Sequence, residues 1–489
     1  MKNIILSSIP RKLKYSGLLI LIFLFSSCET DLLTEKPKTV AAEVFYNTPE
    51  EIETGLNAIY SRWQDDRFVI FMGVLDLHSD YGYGRGSYAG LNEFQGLNQT
   101  NINRTSGFWN MLYLGIRNAN LVILNAPNGE LTPGDLDKYL AEAKFLRALG
   151  YFHLVRNWGG VPIREENNMM VRNLERSSIQ EVYDLIISDL EEAEVNLPDE
   201  PTHIGRPSKW AAKTFLADVY LHLERYAEAS AKAKEVIDSN KFSLVTVETR
   251  DDFQKIFGPE ILTTPEDIFS IQFAREVGQG NYLPWILNHP STGLYAFGGA
   301  YAHYGQSTDP FYTEWDEMDL RKGLWDIVDF GLGATTMTTR KFIDPLAIGN
   351  HDAGNNYPVY RYAEVLLIYA EALTRAANSP TPEAVEALNQ VHRRAYGEGP
   401  NSPSPVDFNA LDFTTESFID LIIQERGYEF VFEGKRWYTL KRTGKVEEIL
   451  QQNRKIENIA PRHYLWPIPI SETDYNDAID SSTDQNPGY

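Results

Sequence analysis

The sequence predicts a mainly α protein, a superhelical scaffold of helix pairs interrupted by one loop-rich subdomain that contains short strands. Three observations carry that prediction. Apolar residues recur at steps of three and four through most of about 41–240, apart from 76–107, and again through 357–450, the period of helices with one buried face. Across about 241–356 the period fades, glycines and aromatics rise, and short runs such as "DIFSIQFA" (267–274) read as strands. With 43% hydrophobic and 23% charged residues over 489 positions, the chain can bury a large core.

At the N-terminus, Lys2, Arg11, Lys12 and Lys14 precede the apolar run "GLLILIFLF" (17–25), which is followed by Ser26, Ser27 and Cys28. A basic region, an apolar region too short to span a bilayer, and small residues together make 1–27 a signal peptide. Cys28 is the only cysteine, which excludes an intramolecular disulfide and a cysteine-based metal knuckle. Its place after the small residues resembles a bacterial lipoprotein signal, in which that cysteine is acylated. Residues 28–40 read as a polar tether broken at Pro37, and folding starts near Ala41 as one domain reaching Tyr489.

"TPEEIETGLNAIYSRW" (48–63) sets Ile52, Leu56, Ile59 and Tyr60 at helical steps, with Thr48 and Glu51 as a capping box. Residues 76–107 lose the period and are rich in Gly, Asn, Ser and Tyr, a long irregular segment of the kind that carries function in compact domains. Helices return at 108–126, at 136–158 up to Gly159 and Gly160, at 178–198, and at 208–239, where a break falls near Arg225 and Tyr226. After the insertion, 360–378 and 381–396 repeat the scheme, with Pro382 at a helix start. "YAEA" occurs at both 226–229 and 369–372, and the alanine spacing resembles the tetratricopeptide pattern. Trp63, Trp109 and Trp158 fall on periodic faces and are expected in the core. The Pro-broken polar end, from Tyr464, is expected to lie as an extended tail on the body.

The formal net charge is -23, and near -27 without the basic leader. Such a field repels phosphate backbones and anionic headgroups, which argues against nucleic acid and against a basic membrane patch. The nine histidines show no HExxH or HxH spacing, and neither a G-x-S-x-G elbow nor a Walker sequence occurs. Catalysis would have to come from carboxylate pairs, which 68 acids produce by chance. "DPFYTEWDEMD" (309–319) gathers five acids without the glycine and spacing of an EF-hand loop. Calcium ligation and a favourable contact with a helix dipole both fit it. In "ERGYEFVFEGKRWYTLKRTG" (425–444), acids and bases three to four residues apart predict a structural ion-pair lattice. "YGYGRGSYAG" (81–90) has glycines at 82, 84, 86 and 90, which is not the G-x-G-x-x-G spacing of a phosphate loop. Those glycines instead allow tight turns that present Tyr81, Tyr83 and Tyr88.

Seven stretches, in order, carry a family resemblance: "FWNMLYLGIRNANLVI" (108–123), "AEAKFLRALGYFHLVRNWGGVP" (141–162), "GRPSKWAAKTFLADVYL" (205–221), "YPVYRYAEVLLIYAEAL" (357–373), "LNQVHRRA" (388–395), "ERGYEFVFEGKRWYTLKR" (425–442) and "QNPGY" (485–489). From Cys28 to Tyr489 the chain resembles the SusD/RagB-type outer-membrane lipoproteins of Bacteroidetes. The resemblance implies a non-catalytic, cell-surface glycan-binding lipoprotein on a tetratricopeptide-like scaffold, with no cofactor, anchored through Cys28. It also implies a SusC-like TonB-dependent transporter as partner, to which oligosaccharide or polysaccharide is delivered. Contacts are then expected from two variable loops, with Asp80, Tyr81, Tyr83, Arg85 and Tyr88 in 78–107, and Trp285, Tyr295, Tyr301 and Tyr304 in about 280–306. Rings stack on pyranose faces while charged side chains bond hydroxyls, and the acidity of the chain favours a neutral glycan. Two alternatives stay open: a peptide- or glycoprotein-binding subunit of a similar transporter, and a glycosidase using a carboxylate pair.

Overall fold

The computed structural model describes residues 45–489, and Tyr46–Tyr489 form one compact unit. The signal segment, Cys28 and the tether lie outside the described residues. The scaffold is mainly helical, as expected. Helix α1 (Pro49–Trp63) opens on the predicted capping box: Thr48 Oγ1 accepts from Glu51 N–H, and the Glu51 carboxylate accepts from Thr48 N–H. It buries Ile52, Leu56, Ile59 and Trp63. Helix α2 (Asp66–Leu77) was not foreseen, because it is apolar all round and shows no stripe.

Helix α3 (Gln99–Asn125) starts inside the segment expected to be irregular, with Asn98 as its N-cap accepting from Asn101 N–H. That is a correction, and its cause is compositional. The inward positions of the first turns are Asn101 and Thr105, so helix and burial are present without an apolar period. Helices α4 (Pro133–Trp158), α5 (Ile179–Asn196), α6 (Lys209–His222) and α7 (Tyr226–Asp238) follow the predicted spans within a few residues. Each packs on the one before it, from α3 to α7.

The chain then leaves the scaffold and returns as α8 (Tyr362–Ala377), which packs against α7 as if nothing had intervened. Helices α9 (Pro382–Ala395), α10 (Thr415–Glu429), α11 (Arg436–Arg442) and α12 (Val446–Arg454) complete the scaffold. Trp63, Trp109 and Trp158 are all core residues. The tail closes back on α4: Asn486 Nδ2 donates to the carbonyls of Trp158 (2.9 Å) and Trp466 (2.6 Å), and Trp158 Nε1 donates to Pro467 O.

Two small antiparallel sheets organise the insertion. Strand β2 (Asp267–Ile271) pairs with β6 (Tyr357–Arg361), which closes the base of the excursion and runs straight into α8. The second sheet has the order β1, β3, β5, β4, formed by Tyr83–Gly84, His303–Gln306, Thr336–Thr339 and Trp325–Ile327. The tyrosine loop therefore supplies an edge strand, with Tyr83 opposite Tyr304 and Gly84 opposite His303.

A buried ion lattice fastens the insertion to the scaffold. Arg361 reaches Glu266 (2.9 Å), Glu429 (2.5 Å) and Glu433 (2.7 Å), while Arg321 reaches Asp319 (2.6 Å), Glu425 (2.7 Å) and Glu429 (2.9 Å). Arg394 pairs with Glu266 and Glu429, and Lys341 with Glu433. The structural role expected for 425–444 holds, but not the pairing. The acids and bases of this segment pair with Arg321, Lys341, Arg361, Glu364, Glu371, Arg394 and Asp80 rather than with one another at three- to four-residue steps, because their side chains point into the interface between segments. Burial alone would raise the Glu429 carboxyl, but Arg394, Arg361 and Arg321 override it and hold it well below the usual range. The acids of 309–319 do not converge: Asp309 accepts from Tyr83, Asp316 from Tyr396, Glu317 from Lys322 and Asp319 from Arg321. Among the described residues no group of three or more His, Cys, Asp or Glu side chains is arranged to hold a metal ion.

Candidate functional site

The pairing of β1 with β3 brings the two predicted loops together and sets a run of half-buried rings along one edge. Tyr83 stacks on Tyr304 (centroids 5.5 Å, planes at 27°), and Tyr304 meets Phe330 edge-on at 6.0 Å. Phe330 lies 5.1 Å from both Tyr301 and His289, and Tyr301 meets His289 at 4.5 Å. Arg85 covers Tyr301 at 3.7 Å, and Arg454 covers Tyr83 at 3.8 Å. A second group follows on the short helix Leu283–Leu287, where Trp285 stacks on Tyr282 at 5.1 Å and Tyr282 on His351 at 4.2 Å with planes 9° apart. Tyr88, covered by Arg104 at 4.0 Å, meets the buried His303 between them.

Backbone bonds hold these groups in one frame. Arg85 N–H donates to Ala302 O (2.8 Å) and its guanidinium to Ala300 O (2.9 Å), while Ala300 N–H donates to Trp285 O (2.7 Å). Tyr301 has φ 39°, the left-handed region that side chains seldom adopt, and its N–H is fixed on Asn288 O at 2.9 Å. Such a conformation costs about 1–2 kcal/mol, so the surrounding loop must impose it. Gly299 is required beside it, because a Cβ there would lie 2.1 Å from Asn288 O.

The chemistry of this surface is that of neutral donors with fixed cations. Burial raises the Tyr83 and Tyr304 hydroxyls, with Arg454 opposing in both cases, and raises Tyr88 against Arg104. Tyr282 is pushed up to about 12 by burial. All four are protonated donors at neutral pH. Tyr83 Oη donates to Asp309 at 2.8 Å. Burial, then Arg85, lowers His289, whose Nδ1 accepts from Ser291 N–H at 3.1 Å, so this ring is neutral.

Six of the nine expected loop contacts, Tyr83, Arg85, Tyr88, Trp285, Tyr301 and Tyr304, lie in this surface, half-buried. Three do not. Asp80 has no exposed surface: its carboxylate is bidentate on Arg436, at 2.8 and 2.7 Å, and accepts from Asn453. Tyr81 is in the core, donating to Asp76 and accepting from Phe432 N–H. Tyr295 is buried against Ala347 and Ala353, and its hydroxyl donates to Gly349 O. Asp80 and Tyr295 are satisfied by partners distant in sequence, and Tyr81 by the nearby Asp76 together with the distant Phe432. His289, Phe330, Tyr282, His351, Arg104 and Arg454 were missed. Phe330, an aromatic set in "DFGLG" between β4 and β5, was the one with a local signal.

Two family models match the chain. One, the SusD family, covers residues 328–489, and the other, described as starch-binding associating with outer membrane, covers 31–221. SusD-like protein P2 of Formosa agariphila is 28% identical over 528 positions, covering 98% of this chain and all of that one. Among solved structures, a SusD homolog from Bacteroides thetaiotaomicron superposes with a TM-score of 0.79 at 23% identity, covering 92% of this chain and 98% of that one. The surface glycan-binding protein A of Bacteroides fluxus gives 0.74 at 24% identity, covering 91% and 100%. With the two family models together matching 31–221 and 328–489, and curated SusD-like relatives aligning over nearly the whole length, the chain belongs to the SusD/RagB family of carbohydrate-binding proteins.

Proposed function

We propose that this protein captures neutral glycan chains on the aromatic surface around Arg85 and Tyr301. It holds them without cleaving them and passes them to a SusC-like TonB-dependent transporter, while acylated Cys28 keeps it on the outer face of the outer membrane. The observation that carries this reading is the run of half-buried rings from Tyr83 to Tyr301, with Trp285 and Tyr282 stacked toward the exposed His351, flanked by guanidinium groups. Rings of this kind offer apolar faces to pyranoses, and the tyrosine hydroxyls and arginines offer donors to sugar oxygens. The acidic field of the chain disfavours sulfated or uronic polymers.

Binding rather than hydrolysis is supported by the carboxylates that border the rings. Asp309 is engaged by Tyr83, and Asp66 by His351 at 2.6 Å. The glycan-binding relative from Bacteroides fluxus and the starch-binding description of residues 31–221 support the ligand class. Family membership and the signal preceding Cys28 support the transporter and the anchor. Two or three acyl chains at about 0.8 kcal/mol per buried CH₂ would hold the protein firmly.

The test is affinity electrophoresis in gels containing starch, laminarin, xylan, mannan or galactan. Wild type is expected to be retarded by at least one of them, and Tyr301→Ala and Trp285→Ala to run freely. Unretarded wild type, or reducing sugar released over time by purified protein, overturns the reading. Cys28→Ala is expected to release the protein from membranes.

A further inference from the structure

A cleft of about 420 Å³ opens between α10, α12 and the short helix Pro310–Thr313. That volume is in the range of ligand sites. Phe311 and Tyr428 line it, and the far face of Tyr428 is stacked on the buried Trp315 at 4.0 Å, with planes 9° apart, so the ring is rigid. The Asp80–Arg436 pair forms the floor. Gln424 and Asn453 each spend an amide N–H inward, on Tyr428 Oη and on Asp80, which leaves each amide oxygen for a ligand hydroxyl. Gln452 stands exposed at the rim.

The cleft adjoins the aromatic surface. Tyr83 is held there by Asp309 and covered by Arg454, and the residues adjacent to these two in the chain, Pro310 after Asp309 and Asn453 before Arg454, line the cleft. Its rim is net acidic, because Lys445 bridges both Asp420 (3.0 Å) and Glu448 (3.1 Å), and Glu314 lines the cleft as well, a balance that repels anionic ligands. A rigid ring and planar amides under a net acidic rim are the chemistry of a neutral polyhydroxylated ligand.

We propose that this cleft is a second saccharide subsite, which engages the continuation of a glycan chain already lying on the rings and crossing the ridge of Tyr83 and Arg454. It rests on the proposed function and adds a dependence on chain length. The experiment is calorimetry with a size series cut from whichever of starch, laminarin, xylan, mannan or galactan retards the wild type. Wild-type affinity is expected to rise about tenfold once the oligosaccharide outgrows the ring surface. Gln452→Trp, which plugs the cleft from an exposed helix position, is expected to keep the short-fragment affinity and lose that rise, and Gln424→Ala to lose part of it. Tyr301→Ala is expected to lose binding at every length. Length dependence identical in wild type, Gln452→Trp and Gln424→Ala overturns the second subsite alone. Failure of the wild type to bind any polymer overturns the proposed function, and the subsite with it.

Discussion

Substituting Asp80 by asparagine separates a residue that supports the site from one that touches ligand. Its carboxylate is fully buried, bidentate on Arg436 at 2.8 and 2.7 Å, and Arg436 is also pinned to Ile423 O at 2.6 Å. Asp80→Asn leaves that guanidinium buried without its counter-charge, a loss of about 3–5 kcal/mol. Unfolding entropy near 2.1 cal/mol/K per residue gives about 1 kcal/mol/K for a chain of this length, so Tm should fall by roughly 3–5 °C. The double variant Asp80→Asn with Arg436→Met should recover most of the loss, because no unpaired charge remains. The assay is scanning calorimetry, with glycan affinity at 20 °C measured on the same preparations. Affinity for short oligosaccharides should stay within about twofold of wild type. An unchanged Tm with abolished affinity would refute the reasoning and return Asp80 to the contact set.

Other perturbations probe the loop, the lattice and the tail. Gly82→Ala would place a Cβ 2.1 Å from Asp76 O and should cost several degrees of Tm together with glycan binding. Gly86→Ala meets open space at φ +61°, and should cost only about 1 kcal/mol of backbone strain. Burial would raise the Glu371 carboxyl, but Arg442, reinforced by Arg375 and Arg426, holds it at about 2; Arg321 and His392 do the same for Glu425. Both folded values are depressed, so their stabilisation, about 3 kcal/mol each, is complete above pH ~4.5 and is lost as pH falls toward 2. Urea midpoints from pH 6 to 3 should fall steeply for wild type and less steeply for Glu371→Gln, which starts lower. Asn486→Ala strips two donors from the Trp158 and Trp466 carbonyls and should cost about 2–3 kcal/mol, read as a Tm lower by about 2–3 °C.

The scaffold was legible wherever one helix face is apolar and the ends carry caps. Thr48 with Glu51 marks the start of α1 in the sequence as in the structure, and the structure adds a second such box, Ser178 with Glu181, at the start of α5. Legibility failed in two opposite ways. Helix α2 buries Phe68 through Leu77 almost without interruption, so hydrophobicity has no direction. The first turns of α3 bury Asn101 and Thr105, so direction exists without hydrophobicity. The aromatic surface was legible as two separate loops. Their union was not, because it depends on Tyr83 pairing with Tyr304 and Gly84 with His303 across more than two hundred residues.

The same loop shows why residue type alone misassigns contacts. Along Asp80, Tyr81, Tyr83 and Arg85, the first two turn inward to Arg436, Asp76 and Phe432, and the last two turn outward to Tyr304 and Tyr301. The inward pair anchors the strand on which the outward pair is displayed. Emptying the Tyr81 position therefore lowers glycan binding by letting β1 slip, even though that ring touches no sugar, whereas Asp80→Asn keeps the shape of the side chain and leaves the strand in place. Alanine substitution at Tyr81 and at Tyr83 can thus produce similar losses in a binding assay for unrelated reasons. Thermal stability distinguishes them: Tyr81→Ala empties a core position and orphans Asp76, whereas Tyr83→Ala removes a half-buried ring whose hydroxyl meets a half-buried carboxylate. A Tyr81 variant that kept full stability and lost binding would place that ring on the ligand side after all.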